Sequence, residues 1–197
     1  MTDRDEKETL QRYLRNQRDD LLSKLDGLSE YDVRRPMTST GTNLLGLVKH
    51  VASVELGYLT DVFGRPTERE LPWFADGAEP DADFWAPADE TRDEIIGLHH
   101  FSAAKSDETI AALPLDATGQ VPWWPPERRD VTLHQILVHV CVETARHAGH
   151  ADIVRELIDG TAGMRPGDAN VTGRSPAEWE QHRTRVDAAA REAASRL

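Results

Sequence analysis

The chain of 197 residues contains a single cysteine, Cys141. A disulfide within the chain is therefore excluded, and any thiolate chemistry depends on Cys141 or on a thiol supplied from outside. Positive charge is also scarce, since 23 Lys and Arg residues face 35 acidic residues and the formal net charge is -12. This balance argues against nucleic-acid or anionic-membrane partners, because phosphate groups bind to clustered positive charge. We expect small molecules as partners.

Long apolar runs are absent as well. Residues 1–20 are charged throughout and offer neither a signal peptide nor a membrane span, so a cytoplasmic location is expected. The length favours one compact unit. We expect a bundle at residues 1–163 and a helical C-terminal extension at 164–197 that packs on it, in a monomer or a homodimer.

Apolar residues at helical spacing predict four long helices, at about 8–28, 43–63, 88–113 and 131–160. The residues expected to cap or end them are Thr42 or Asn43, Asp130 and Gly160. A Ser-Pro pair predicts a further helix from residue 175. The predicted fold is all-α, a four-helix bundle with an extra C-terminal helix.

Two segments without periodicity connect these helices. Both are rich in proline and tryptophan, at residues 64–88 and 115–130. Long ordered loops in a small protein are often functional.

The last bundle helix carries polar residues where apolar ones are expected. With His139 taken as zero and a helical rotation of about 100° per residue, His150 lies near 20°, Glu143 near 40° and His147 near 80°. Leu157 falls near 0° and Val154 near 60° on the same scale, roughly on the same face. This pattern predicts that the polar group faces the core.

A buried glutamate must be neutralised by a proton, an arginine or a cation. Glu143 and His147 project side by side from successive turns, as in metal centres built inside helical bundles. A further ligand is available on the second helix, where His50 shares a stripe with apolar residues such as Val51 and Val54. The alternative for His50 is a hydrogen-bonded core residue without a ligand role.

The segments "LLGLVKHVASVELGY" and "ETARHAGHADIVRELIDG" resemble the DinB-like superfamily over most of the chain to about residue 160. They are most similar to the branch that contains mycothiol-dependent maleylpyruvate isomerase and the mycothiol S-transferases. The resemblance implies that His50, Glu143 and His147 hold a divalent metal, with zinc expected and nickel or another ion as the alternative. Glu143 stands where many members of the superfamily have histidine.

The resemblance also implies a chemistry that suits a chain with one cysteine. A low-molecular-weight thiol such as mycothiol would bind at the open metal position as a thiolate and attack an electrophile. Tyr58, Trp123 and Trp124 are the candidates for binding this co-substrate. Trp73 and Trp85 lie in the other loop, and for at least half of these four tryptophans we expect a packing role.

His139 and His150 flank the predicted ligands and are the candidate catalytic residues. Either could hydrogen-bond a ligand, relay a proton or, in another register, replace a ligand. His99 and His100 are adjacent, so both cannot face one centre, and they are expected at the helix surface and the edge of the core. Cys141 is expected to be a packing residue.

These observations favour a metal-dependent thiol S-transferase. Two alternatives are kept: a metal-dependent hydrolase whose open position holds water, and a stress-response protein that binds a metal or a small ligand without catalysis.

Overall fold

The structure is a computed structural model that describes residues 3–164 and 170–196. The helices are α1 (Asp3–Ser23), α2 (Glu30–Arg34), α3 (Leu44–Leu59), α4 (Arg92–Ala112), α5 (Leu133–Asp159) and α6 (Pro176–Ala194), and the strands are β1 (Thr118–Gln120) and β2 (Asp130–Thr132). The long helices α1, α3, α4 and α5 form a bundle in which α1 and α3 each pack between α4 and α5. The predicted all-α, DinB-like fold is confirmed.

Local hydrogen bonding explains where the helices begin and end. Asn43 caps α3 by accepting a hydrogen bond from the backbone N–H of Gly46. Thr91 and Glu94 form a capping box at the start of α4. At the other end of the bundle, α5 stops at Gly160, which adopts the left-handed conformation (φ 78°) that glycine tolerates best.

The prediction that Asp130 caps the last bundle helix was wrong. Asp130 belongs to β2, where it pairs with Gln120 of β1 and accepts a hydrogen bond from the side-chain amide of that residue (2.8 Å). Thr132 is the N-cap instead, and its hydroxyl accepts from the backbone N–H of Gln135. The short antiparallel pair β1–β2 and the single-turn helix α2 were not predicted.

The core contains two apolar clusters at opposite ends of the bundle. The first joins the end of α3 to the start of α5 around Leu59 and Ile136, and the second joins the start of α3 to the end of α5 around Leu45 and Ala151. Buried polar side chains lie at intermediate heights along the helices: Arg18, His50, Ser53, Glu55, His99, Ser102, Ser106, Thr144 and His147. The most closely paired of them are Arg18 and Glu55, which form two hydrogen bonds of 2.6 and 3.0 Å.

The buried face of α5 is rotated from the predicted one. Its buried residues, which include Val140, Thr144 and Ala151, are centred about 110° from His139. His147 is therefore buried, Glu143 and His139 are half-buried, and His150 is exposed. Leu157, predicted to face the core, is 61% exposed.

Lys24 connects the chain beyond α5 to the bundle. The ammonium group of Lys24, on the turn after α1, donates hydrogen bonds to the carbonyl oxygens of Gly163 and Met164 and forms an ion pair with Asp152 (2.6 Å). Helix α6 starts at a capping box formed by Ser175 and buries none of its residues. The boundary drawn after residue 163 stays a prediction, and residues 165–169 lie outside the described part.

Within the described residues, no helix has the length and apolar character needed to cross a membrane.

Candidate metal centre

Three side chains from two helices converge inside the bundle. His50 comes from α3, and Glu143 and His147 come from successive turns of α5. Their ligand atoms lie within 4.8 Å of one another, and in the described part of the chain no other group of three metal-binding side chains meets this condition. Glu143 Oε1 lies 3.0 Å from His147 Nε2 and 3.4 Å from His50 Nε2. Both histidines are buried, and Glu143 is half-buried.

The site favours an ionised Glu143, and burial disfavours the charged form of His147. Burial alone would raise the pKa of Glu143, but the hydrogen bonds with His50 and His147 and the charges of these histidines outweigh burial and lower it. Burial lowers the pKa of His147, and His50 lowers it further, against the opposing effect of Glu143. A carboxylate and a neutral imidazole are the forms that bind metal ions.

His50 is oriented from behind by a carboxylate that the sequence analysis missed. Its Nδ1 atom lies 2.6 Å from Oδ2 of Asp83, which is buried in the short 3-10 turn Ala82–Phe84. An imidazole that donates its Nδ1 hydrogen to a carboxylate directs the Nε2 lone pair toward the opposite side, which is the arrangement common behind metal-bound histidines. The loop at residues 64–88 contains several carboxylates that could take this role, and no sequence pattern distinguishes Asp83 from the others.

The next residue of the same turn, Phe84, packs against both histidines. Its ring stacks on His50, with the centroids 3.9 Å apart and an interplanar angle of 18°, and lies 5.9 Å from the ring of His147. His147 Nδ1 is buried and has no hydrogen-bond partner among the described residues. On the side away from Glu143, His147 is therefore held by ring packing, whereas His50 also has the hydrogen bond with Asp83.

A second group of aromatic side chains lies about one helical turn from the ligands, toward the start of α5. The Tyr58 hydroxyl accepts hydrogen bonds from the indole N–H groups of Trp123 (3.2 Å) and Trp124 (2.9 Å). The ring of His139 packs edge-on against Tyr58 (4.7 Å) and Trp124 (5.1 Å). Burial lowers the pKa of His139, although the charge of Glu143 opposes this effect. The structure thus brings His139, a candidate catalytic residue, together with the three residues expected to bind the co-substrate.

The remaining predicted residues are placed differently. His150 is exposed, with its ring 5.3 Å from that of His147. Trp73 donates its indole hydrogen to Ser53 (3.0 Å), and Trp85 is 43% exposed. His99 was expected at the helix surface or the edge of the core. Its side chain is instead buried in the core, with 4% exposure, because α4 packs it against the bundle.

Cys141 is a half-buried packing residue, as predicted. Its Sγ atom lies 3.6 Å from the carbonyl oxygen of Leu10, and burial raises the pKa of the thiol to about 11. Such a thiol is protonated at neutral pH and unsuited to act as a nucleophile.

A comparison with protein families agrees with this geometry. The model of the family described as Mycothiol-S-transferase (MST) matches residues 9–160, which contain all of the bundle except the start of α1 and every residue of the candidate metal centre. No curated protein matches the chain. Since the match spans well over half of the sequence, the chain belongs to the mycothiol-S-transferase family.

Proposed function

We propose that this protein is a metal-dependent S-transferase that joins a low-molecular-weight thiol, mycothiol or a close relative, to an electrophile. Membership of the family supports the thiol and the class of reaction. The group formed by His50, Glu143 and His147 supports the requirement for a metal.

The observation that carries the proposal is the meeting of three electron-pair donors. Nδ1 of His50 lies 2.6 Å from the carboxylate of Asp83, and Nε2 lies 3.4 Å from the carboxylate of Glu143. When the single hydrogen of a neutral ring is donated to Asp83, Nε2 carries a lone pair that faces Glu143. Two acceptors that face each other inside a protein repel unless a proton or a cation lies between them. A divalent cation satisfies both of them together with His147.

Zinc is the ion we propose, because two imidazoles and a carboxylate suit it and it also accepts thiolate, with nickel as the alternative. When bound, the ion would supply a coordination position for the co-substrate thiol and lower the pKa of that thiol. The other functions belong to side chains of the chain.

The transfer step forms one bond and breaks one. The thiol sulfur forms a bond to the electrophilic carbon, the leaving group departs with the electron pair of its own bond, and the thiol proton goes to a base. We propose His139 as this base, since burial lowers its pKa and keeps its ring neutral at neutral pH. His139 would return this proton to solvent when the product leaves. His150 is exposed beside His147 and is proposed to exchange protons with solvent at that end of the site, independently of His139.

Tyr58, Trp123 and Trp124 are proposed to hold the co-substrates. With two indole N–H groups donating to its oxygen, the Tyr58 hydroxyl has its own hydrogen to donate to a bound molecule. The faces of the tryptophan rings offer apolar area for an electrophile. Trp123, which is 54% exposed, is the more accessible of the two.

The test replaces the carboxylate ligand in two ways. Glu143→Gln should weaken zinc binding by orders of magnitude and abolish thiol consumption with monobromobimane, in which a carbon–sulfur bond replaces a carbon–bromine bond. Glu143→His should recover metal binding, since a third imidazole is also a ligand. Glu156→Gln is the matched control, because Glu156 is exposed on the same helix.

Three results would contradict the proposal. The first is a Glu143→Gln variant that keeps its metal and its transfer rate. The second is a metal-loaded wild-type protein that hydrolyses esters or amides without added thiol and consumes no thiol, which favours the hydrolase. The third is a metal-loaded protein that is inactive in both assays. This result would favour a protein that binds a metal or a small ligand without catalysis.

A further inference from the structure

The turn that carries Asp83 is held on α3 by residues spaced along one face of that helix. Asn43, the N-cap of α3, donates its side-chain amide hydrogen to the carbonyl oxygen of Phe84 (3.1 Å). One turn later is Gly46, where a Cβ atom would overlap this same carbonyl oxygen. The backbone of the turn therefore lies directly on the helix, at a position that only glycine allows.

The buried side chain of Lys49 also holds the turn, through hydrogen bonds to its backbone. Its side chain is 1% exposed, and its ammonium group donates to the carbonyl oxygens of Ala82 (2.9 Å) and Trp85 (3.0 Å), which bracket Asp83 in the sequence. Glu90 neutralises the charge at 2.7 Å, and the ring of Trp73 lies 4.0 Å below it. A buried lysine is costly unless it is paired in this way.

The contacts of this turn act on His50, the residue that follows Lys49 in the sequence. His50 receives the carboxylate of Asp83 at 2.6 Å and the ring of Phe84 at 3.9 Å, both from the turn that Lys49 holds. The proposed metal ligand on α3 is thus oriented by a segment that lies 33 residues further along the chain and keeps its position through Gly46 and Lys49.

We infer that Asp83 is a positioning residue of the metal centre and that Lys49 and Gly46 act on the metal through it, by locking the turn Ala82–Phe84 onto α3. The inference rests on the proposed metal-binding function. It assigns to the chain a second group of residues that sets metal affinity without touching the metal. Partners of metal-bound histidines typically change metal affinity by about 10–100-fold when removed.

The experiment measures the dissociation constant of Zn²⁺ alone, in competition with a chelating dye, for the full chain. Asp83→Ala should weaken binding by about 10–100-fold. Asp83→Asn keeps an acceptor for the Nδ1 hydrogen and should fall between Asp83→Ala and the wild type. Lys49→Met and Gly46→Ala should weaken binding in the same direction as Asp83→Ala.

The chain offers a matched control for each indirect variant. Lys24 is also a buried lysine that binds two carbonyl groups and one carboxylate, at a point away from the candidate metal centre. Gly97 is a helical glycine with open space where a Cβ would lie. Lys24→Met should lower the melting temperature and leave the zinc dissociation constant unchanged, and Gly97→Ala should leave that constant unchanged as well.

A double variant tests the route through Asp83. If Lys49 acts on the metal by holding Asp83, Lys49→Met should weaken zinc binding no further in a chain that already carries Asp83→Ala. Additive effects would overturn the inference, as would an Asp83→Ala affinity within twofold of the wild type or an equal loss in Lys24→Met. If Lys49→Met does not fold, Gly46→Ala in the Asp83→Ala chain provides the same test.

Failure of the proposed function gives a different result. In that case the wild type binds no zinc, or His50→Ala binds it as tightly as the wild type. If the wild type binds zinc and His50→Ala does not, the comparison of Asp83, Lys49 and Lys24 variants decides the inference alone.

Discussion

The buried histidine on α4 should make the stability of the protein depend on pH in a defined window. His99 is 4% exposed, and neither of its ring nitrogens has a hydrogen-bond partner in the described part of the structure. Burial, reinforced by the charges of His100 and Arg18, lowers the pKa of His99 from 6.5 to about 4. In the unfolded chain the ring is solvated and regains its ordinary pKa.

The sign follows from which state binds more protons. Between about pH 4 and 6.5 the unfolded chain protonates His99 while the folded chain does not, so protons favour unfolding and stability falls as the pH falls. At about 1.4 kcal/mol per pKa unit, a difference of 6.5 to about 4 corresponds to roughly 3 kcal/mol lost between pH 7 and pH 4.

The assay is urea unfolding of wild type and His99→Gln from pH 4 to 7.5, with a metal chelator present. Other titrating groups are common to both proteins, so the difference in unfolding free energy between them should change by roughly 3 kcal/mol across the window, to the disadvantage of the wild type at low pH. His100→Gln keeps the buried ring of His99 and removes one smaller contribution to its lowered pKa, so it should retain most of the pH dependence of the wild type. A difference between wild type and His99→Gln that is constant with pH would refute the reasoning.

Three further predictions follow from buried groups. Glu55→Gln should lower the free energy of unfolding by about 1–3 kcal/mol in urea titrations, because Arg18 loses its buried ionic partner and keeps the partly exposed Asp107; an unchanged free energy would contradict this. Burial raises the pKa of Cys141 to about 11, so alkylation by iodoacetamide at pH 8 should be on the order of 100-fold slower than for an exposed thiol. The Cys141→Ser variant should keep its transfer activity. Fast alkylation would show that the thiol is accessible and contradict this prediction. Because burial lowers the pKa of His147, zinc measured by atomic absorption after dialysis should stay bound at pH 7 and be lost only below about pH 6.5; metal retained at pH 4 would argue against histidine ligands.

The sequence was sufficient to predict the four helices of the bundle and the meeting of His50 with Glu143 and His147. These predictions depend on local spacing, since residues four apart share a helix face and apolar periodicity directs that face to the core. Resemblance to a family then related α3 to α5. The family match now gives that resemblance independent support.

The rotation of α5 could not be predicted, because the apolar residues of this helix extend around more than half of its circumference. Val142, Ile153 and Leu157 are all at least 60% exposed, while Val140 and Val154 are buried. The mean direction of all these apolar residues lies between the exposed set and the buried set, so it does not coincide with the buried face of α5. This is why His150 was predicted to face the core and instead lies at the surface.

Asp83 was missed for a different reason. It lies in a loop without periodicity, and its position depends on tertiary contacts with Asn43, Gly46 and Lys49. Residues in such loops are placed by the helices that they contact. A single sequence does not encode these contacts as a pattern.

The hydrogen bonds of Lys24 affect where the chain can be shortened. The family match and α5 end at residues 160 and 159, but the carbonyl groups that Lys24 binds belong to Gly163 and Met164. A chain cut after residue 160 would leave a buried ammonium group with Asp152 as its remaining partner, at the cost of an incompletely satisfied charge. The smallest piece that keeps the stability of the bundle must therefore extend to Met164, so limits taken from sequence similarity alone would give a weakened protein.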